Sequence, residues 1–391
     1  MKELYSVIIA ARNDFFASRN WQLKRCPVCF EEYYTKRDLP HCGSYSCANS
    51  YQFLNIPAPR LYLELKECAE IFRKFFPAQG YQLETPIAII RNDERTLFAS
   101  TAGQIYDDLI YGKSLKDDQQ QCSMLQPVIR LQGIDFVDTI DGASTSFIHS
   151  ATECWNATIK DHFNTLDHWL NLFSNLGLYV SGLCLKVKRA DNDWTGRIVT
   201  SEMIKINYGG LEIGVANFFF NIPQPFNTVA TLSDIGVGFE RLIWAINKSP
   251  SYFDSIGPLS CVIIHKRVTL DAIRTATLMA GSDVVPNHKN QGSKLRTMIR
   301  LIMEEAQCLN LYELVRYYHK QWSSFTDLIV SQEHTYSVIW REVNRDFNLE
   351  ANRVLRIDES FEQSHEEFLR KAIKKKVIPI TRVWKIKRRI K

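Results

Sequence analysis

No stretch of this 391-residue chain reaches the roughly 18 consecutive apolar residues that a membrane-spanning helix needs, so no membrane partner is expected. Met1 to Asn13 is too polar for a secretory signal and has no small-residue cleavage pattern, so no signal peptide is expected. A G-x-x-x-x-G-K-[ST] phosphate loop is missing, and so is a G-x-G-x-x-G dinucleotide fingerprint. Their absence argues against P-loop and doubly wound nucleotide-binding folds. A nucleophilic triad is missing too: His149 and Cys154 have no third partner at a helpful spacing, and Cys154 reads as a core thiol. Acidic residues are absent from Lys371 to Lys391, where ten Lys and Arg accumulate. The whole chain is +5, so the other 370 residues carry −5. Such a tail suits a polyanion bound through counterion release, or a solvated end. No DNA partner is expected.

What is present is ordinary for a globular protein. A hydrophobic content of 45%, with 12% aromatic residues, supplies cores for two or three domains. Ten cysteines without a secretion signal imply a reducing, cytoplasmic setting, with thiols or metal ligands rather than bridges. Cys26-Pro27-Val28-Cys29 is followed, after twelve residues, by Cys42-Gly43-Ser44-Tyr45-Ser46-Cys47. Two close pairs suit a closed, tetrahedral zinc knuckle of structural type, with no open position for catalysis. Lys24-Arg25 beside the first pair favours thiolates. His41 is an alternative fourth ligand, and four unmetallated thiols are the other reading.

Apolar periodicity predicts helices over residues 1–25, 61–76, 155–178, 268–279 and 293–309. Strands are expected at Tyr81 to Ile90, from Arg95 into a turn at Gly103, Leu125 to Gln132, Ser144 to Ile148, Tyr179 to Lys188, Ile204 to Ile206, Leu211 to Phe220 and Asn227 to Leu232. Asp191-Asn192-Asp193-Trp194 is expected to turn. Mostly sequential antiparallel strands with interleaved helices give an α+β fold. Gln126-Pro127-Val128-Ile129-Arg130-Leu131 and the segment through Phe147 read as an antiparallel hairpin with Arg130 at its strand end. Arg130 is either a ligand arginine or a surface ion-pair residue.

One stretch draws attention: Ser233-Asp234-Ile235-Gly236-Val237-Gly238-Phe239-Glu240-Arg241, followed by the apolar run Leu242 to Ile246. Glycines let a backbone approach a ligand, and an arginine offers a planar fork of donors for phosphate oxygens. By itself the pattern is equally compatible with a tight turn into a core helix.

Taken together, these segments resemble the alanyl-tRNA synthetase family, in its archaeal form. The cysteine knuckle followed by Ser50-Tyr51-Gln52-Phe53-Leu54 is similar to the archaeal N-terminal extension. Asp93 to Gly103 resembles D-P-T-L-L-F-T-N-A-G, Gln126 to Leu131 resembles Q-P-C-I-R-L, and Ser233 to Trp244 resembles D-T-G-Y-G-L-E-R-L-V-W. Val268 to Arg300 resembles the helical segment carrying D-H-x-R, D-G-x-x-P-S-N and G-Y-x-x-R-R. The resemblance implies a class II aminoacyl-tRNA synthetase-like antiparallel sheet flanked by helices, followed by a helical domain. It also implies activation of alanine, or another small amino acid, with ATP and Mg2+ and transfer to the tRNA acceptor stem. Arg130 matches the arginine on the α-phosphate, Arg241 the one on the γ-phosphate, Phe147 the aromatic on adenine and Glu212 the magnesium carboxylate. Gly238 falls at the ATP turn. Asp234 matches the residue that grips the α-amino group, and Gly236 the one that leaves space beside the substrate methyl. Asn287, His288, Lys294, Arg296 and Arg300 match the tRNA-facing segment.

The implied division is 1–60 for the knuckle extension, 61–260 for the catalytic domain and 261–391 for a helical, tRNA-facing domain with the basic tail. The sequence departs from the family at three places. Gly142 to Ile148 lacks the charged residues of R-H-x-T-x-F-E. Thr195 to Ser201 replaces a glycine-rich segment before Glu202. His288 stands where the family has the asparagine that reads the acceptor stem. Without an H-x-x-x-H motif, proofreading in cis is not expected, nor are the family's editing and C-terminal domains. Two alternatives follow: an aminoacyl ligase acting on a small molecule, peptide or carrier without tRNA, and a non-catalytic tRNA-binding paralogue.

Overall fold

Runs of β-branched and aromatic residues between Leu183 and Gly238 form long, largely buried strands whose side chains point alternately to the two faces of a sheet. The computed structural model describes residues 2–57, 62–91, 96–114, 118–194, 197–257, 266–303, 305 and 310–355. The basic tail at 371–391 lies outside them. The chain divides into two units. The first is Met1–Ala88, Asp93–Val128 and Phe147–Ile256; the second is Ile89–Asn92, Ile129–Ser146 and Gly257–Lys391.

The first unit holds the sheet. Its strands are β1 (Gln22–Arg25), β2 (Glu32–Thr35), β3 (Gln82–Leu83), β4 (Gln120–Ile129), β5 (Ser146–Trp155), β6 (Leu183–Trp194), β7 (Arg197–Tyr208), β8 (Leu211–Pro223) and β9 (Val229–Gly238), in the order β1-β2-β6-β7-β8-β9-β5-β4-β3. The ladders from β1 through β5 are antiparallel, and β3 runs parallel to β4. The fold is therefore α+β, a largely antiparallel sheet flanked by helices, with helical segments following.

Several expected elements shift. The strand expected over Tyr81 to Ile90 shrinks to Gln82–Leu83, because Pro86 has no amide to give to a ladder. Instead the Gln126 side chain takes over: its Oε1 accepts from Ile87 N at 2.8 Å and its Nε2 donates to Ile87 O at 3.2 Å. The strand expected from Arg95 gives way at Ala102–Tyr106 to a 3-10 helix capped by Thr101; residues 92–95 lie outside the described residues. Asp191 to Trp194 is not a turn. It pairs in register with β7, Asp191 against Thr200 and Trp194 against Arg197.

One sheet face is covered by α1 (Lys2–Ala17), α3 (Leu65–Ala78), α5 (Ile159–Asn175) and α6 (Phe239–Asn247), the short helices α2 (Tyr45–Ala48) and α4 (Asp107–Ile110) lying between them in the chain. Phe218, Phe220, Cys154 and Ile8 pack together there. In α6 every residue from Leu242 to Ile246 is buried, each large side chain contributing about 1.5–3 kcal/mol. The indole of Trp244 meets Phe53 edge-on at 4.9 Å and donates to Ser249 O at 2.8 Å.

Glu202 is fully buried and binds Arg12 of α1 at 2.5 Å and the Tyr5 hydroxyl at 3.0 Å. Removing one partner of a buried pair strands the other charge. Glu202→Ala is expected to destabilise the fold by about 3–5 kcal/mol, read as a lowered urea midpoint. Glu202→Gln, whose amide oxygen still accepts from Arg12, should cost less; equal midpoints for the two variants would remove the ion pair from this account.

The second unit is built from helices Arg267–Gly281, Asn290–Met303, Leu311–Trp322 and Gln332–Leu355. The first is buried from Thr269 to Gly281 and carries Asp271 and Arg274 inside. Asp271 accepts from the Thr145 amide at 2.9 Å and from its hydroxyl at 2.5 Å. Arg274 lies 4.3 Å over the Trp322 ring and donates to Ser146 O. Burial pushes the Asp271 carboxyl up to about 6, against the Thr145 hydrogen bonds and Arg274. Below pH 4 this group is neutral folded and unfolded. Between pH 4 and 6 the folded form keeps a proton that the unfolded form loses. Its contribution is therefore present at low pH and lost as pH rises through 6. Relative to Asp271→Asn, the wild type is expected to lose on the order of 2–3 kcal/mol between pH 4 and 7; parallel pH–stability curves would refute the shift.

Candidate functional site

The glycines of the Ser233 to Arg241 stretch do not form a turn. β9 continues straight through Gly236 and Gly238, and α6 begins at Phe239. Gly236 is needed for closeness instead, as is Gly214, whereas Gly238 has room for a side chain. A Cβ on Gly214, in the neighbouring strand, would lie 2.6 Å from Gly236 O. A Cβ on Gly236 would lie 2.0 Å from His149 Nε2, and one on Gly238 would lie 3.5 Å from Arg241 Cδ. His149, held by the Ala102 amide donating to Nδ1 at 3.2 Å, fills the space expected beside Gly236 for a substrate methyl.

Glu240 and Arg241 open α6 and divide their work. The buried Glu240 carboxylate accepts the Ile148 amide through both oxygens, at 3.0 and 2.9 Å, and so fastens the helix start to β5. Arg241 donates to Glu212 O at 3.2 Å and stays part-exposed. Glu212 reaches this face through a β-bulge: Ile206 faces Gly214 but Asn207 faces Glu212, which leaves Ile213 as an extra residue. Such an insertion reverses the alternation, putting Glu212 on the same side as Val215 and Asn217. Its carboxylate is engaged by Lys205 at 2.8 Å. Magnesium prefers carboxylate, phosphate and water oxygens. A single carboxylate already neutralised by Lys205 does not fit that ion by itself. Phe147 stands half-exposed on β5, its ring 6.5 Å from His149.

Asp234 lies on the same strand face as Gly236 and Gly238. Opposite it are Glu153 of β5 and Asn217 of β8, in one row across three strands. Glu153 is completely buried, and neither of its carboxyl oxygens has a well-formed hydrogen bond; the same holds for Asn217 Oδ1. Burial, and then the Asp234 carboxylate, raises the Glu153 carboxyl well above the usual range and favours its protonated form. Both residues were missed in the sequence. The usable signal was the alternation Phe147, His149, Ala151, Glu153, which puts an acid on the ligand face. Beside this row is a cavity of about 250 Å³, with Asp234 and Gly103 at one side and Ile110, Tyr111, Trp194 and Phe219 among its walls.

The four knuckle cysteines do converge. Sγ atoms of Cys26, Cys29, Cys42 and Cys47 all lie within 4.8 Å of one another, with Cys29 and Cys42 at 3.7 Å. A tetrahedral zinc with Zn–S of about 2.3 Å spaces its sulfurs about 3.8 Å apart, so the cluster fits the ion. His41 is occupied elsewhere: Gly43 N donates to its Nδ1 at 3.2 Å, and Nε2 meets Gln52.

The remaining expected residues belong to the second unit. Arg130 caps the 3-10 helix Leu131–Phe136, its amide donating to Thr145 O at 2.8 Å. Lys294 and Arg300 are exposed on the Asn290–Met303 helix. Arg296 is not part of a solvent-facing stripe with them. It is 8% exposed, binds Glu342 at 2.7 Å and meets His288 Nδ1 at 2.8 Å. At a spacing of i, i+2, i+6 the three residues cannot all share one face, and Glu342 draws the middle one inward. Asn287 caps its own loop, accepting from Lys289 N at 2.7 Å.

By sequence, the chain is similar to archaeal alanine–tRNA ligases. It is 27% identical over 262 residues to the alanine–tRNA ligase of Methanococcoides burtonii, covering 63% of this chain and 28% of that protein. It is 25% identical over 305 residues to that of Sulfurisphaera tokodaii, covering 72% and 33%. The chain thus spans about a third or less of the curated relatives' length. No family model matches. Among solved structures, a pyrrolysyl tRNA synthetase from Desulfitobacterium hafniense aligns with a TM-score of 0.34 and 13% identity, over 49% of this chain and 72% of that one. Prolyl-tRNA synthetase from Cryptosporidium parvum aligns at 0.30 and 11%, over 47% and 45%. No helix among the described residues is long and apolar enough to cross a membrane. Over the greater part of its length, this chain is similar to the archaeal alanine–tRNA ligases, as its order of motifs implied.

Proposed function

We propose that this protein activates an α-amino acid with ATP to give an aminoacyl-adenylate, as an aminoacyl-tRNA synthetase-like ligase. The observation that carries the reading is the single face of β9, which presents Asp234 at one point and ends at Gly238 and Arg241, about 13 Å along the strand. An ammonium group and the outgoing phosphates lie on opposite sides of the attacking carboxylate, so a cation acceptor and an arginine at separate points of one face suit them. The carboxylate is itself the nucleophile and pyrophosphate leaves, so no side chain need bond covalently. Catalysis is then positioning and electrostatic stabilisation. Asp234 holds the ammonium by a charge-assisted bond. Arg241 faces the outgoing phosphates, Phe147 lies against adenine, and Arg130 supplies the α-phosphate contact that the family resemblance implies. Magnesium would arrive with the nucleotide and neutralise phosphate charge. In the knuckle, Cys26, Cys29, Cys42 and Cys47 hold a structural zinc.

For the acceptor, transfer to the acceptor stem of a tRNA is the reading the relatives favour, with Lys294 and Arg300 on phosphates. A second reading, transfer to a small molecule or carrier, is favoured by Arg296 and His288 being tied to one another and to Glu342. Amino-acid-dependent ATP–pyrophosphate exchange, measured across the twenty amino acids, tests the activation step; no exchange with any of them sinks it. Charging of total tRNA then separates the two acceptors, since exchange without charging favours the second.

A further inference from the structure

The amino-acid pocket of this chain has a shape of its own. This inference rests on the activation reading for its chemistry, but the pocket can be tested without it. Two independent observations meet at Asp234. The first is the row Glu153, Asp234 and Asn217, in which Glu153 is fully buried with both oxygens lacking a well-formed hydrogen bond, and Asn217 Oδ1 is buried in the same condition. Buried polar atoms in folded proteins are normally satisfied. The Glu153 carboxyl is engaged by Asp234, so the acceptors left beside it are the Asp234 carboxylate and Asn217 Oδ1, which suit a small cationic donor such as an ammonium group. Glu153 stands behind the cavity wall: its Oε1 lies 3.5 Å from where a Cβ on Gly103 would stand, and Gly103 and Asp234 line the cavity.

The second observation is the cavity. Its volume of about 250 Å³ exceeds the roughly 150 Å³ of an engineered apolar cavity that holds benzene. Alanine's methyl group would reach few of its apolar walls, whereas a larger apolar side chain would gain contacts with them. Asp107 and four neutral polar residues line part of it; its apolar walls beyond Asp234 are Ile110, Tyr111, Trp194, Phe219 and Leu232. They follow from the register, because Leu232 and Phe219 oppose one another two positions before Asp234 and Asn217. Meanwhile the opposite direction along β9, beside Gly236, is filled by His149. Room for a side chain therefore exists on the aromatic side of the acceptor row and not beside Gly236.

We infer that Asp234, held by Glu153 behind it and with Asn217 beside it, seats the ammonium of an α-amino acid whose side chain is large and apolar, aromatic or branched, and that Tyr111, Trp194 and Phe219 select it over alanine.

Titration calorimetry of the wild-type chain with leucine, phenylalanine, tyrosine and alanine tests the pocket directly. At least one bulky apolar amino acid is expected to bind ten or more times tighter than alanine. Alanine binding as tightly as every bulky member, or no bulky member binding, overturns the inference. Trp194→Ala, at a half-exposed site, should weaken the preferred amino acid at least tenfold and alanine less than twofold. Asn217→Ala should raise the amino-acid KM in pyrophosphate exchange about tenfold without changing the ATP KM; an unchanged amino-acid KM removes Asn217 from the row. If bulky amino acids bind selectively but no exchange occurs, the activation reading fails while the pocket stands. If exchange occurs best with alanine, the activation reading stands and the pocket inference fails.

Discussion

Arg241→Ala is expected to lower amino-acid-dependent pyrophosphate exchange by about 10²–10³-fold, the scale of removing one preorganised donor from a charged transition state. The reason lies in how the residue is held. Glu240, its neighbour, bonds the Ile148 amide twice and fixes the start of α6 against β5. The guanidinium is steadied by Glu212 O at 3.2 Å, yet remains part-exposed, so its truncation removes function before stability. Arg241→Lys keeps the charge but loses the planar fork, and should recover only a minor part of the rate. Melting temperatures of all three proteins should agree within a few degrees. Exchange that survives Arg241→Ala would dissociate this residue from the phosphates and leave β9 as a structural strand.

How far the sequence foretold this arrangement depends on which force sets each feature. The order of sheet and helix segments was legible because it is written in apolar periodicity, and Asp234, Gly238 and Arg241 were found together because they are adjacent in the chain. What local pattern could not give was the behaviour of the glycines. Gly236 and Gly238 read as a turn, since glycine usually supplies a positive φ, but here the strand runs on and Gly236 admits His149 from the neighbouring strand. That demand comes from residues 87 positions away and has no local trace. Arg296 was misjudged for a related reason. A basic residue on an amphipathic helix reads as solvated until its partner, Glu342, is known. Glu202 and Arg12 are separated by 190 residues, and nothing in either neighbourhood announces a buried pair. Glu153 had a local signal in the strand alternation. It was passed over because an acid on a strand is most often exposed, and its burial follows from Asp234 and Gly103 closing over it.

The knuckle gives the second large effect. Cys29→Ser is expected to reduce the zinc content of the purified chain from about one per molecule to near zero, by elemental analysis, because a four-ligand structural site has no spare donor. Structural zinc contributes folding free energy outright. The loss should also lower the melting temperature, by about 2–4 °C for each kcal/mol forfeited in a unit of this size. The effect should spread from the knuckle into the sheet, since β2 pairs with β6 at Tyr33 and Lys186, and Asn207 of β7 donates to Cys42 O at 3.1 Å. Cys184 supplies the control. It packs in the same cluster, its thiol donating to His41 O at 3.4 Å, but is not among the four convergent sulfurs. Cys184→Ser should leave zinc content unchanged, whereas Cys26→Ser, Cys42→Ser and Cys47→Ser should each behave as Cys29→Ser does. A chelator added to the wild type should reproduce the Cys29→Ser melting curve. If the purified chain carries no zinc, or if Cys184→Ser loses it as fully as Cys29→Ser, the four-sulfur assignment fails and the cluster is a set of packed thiols.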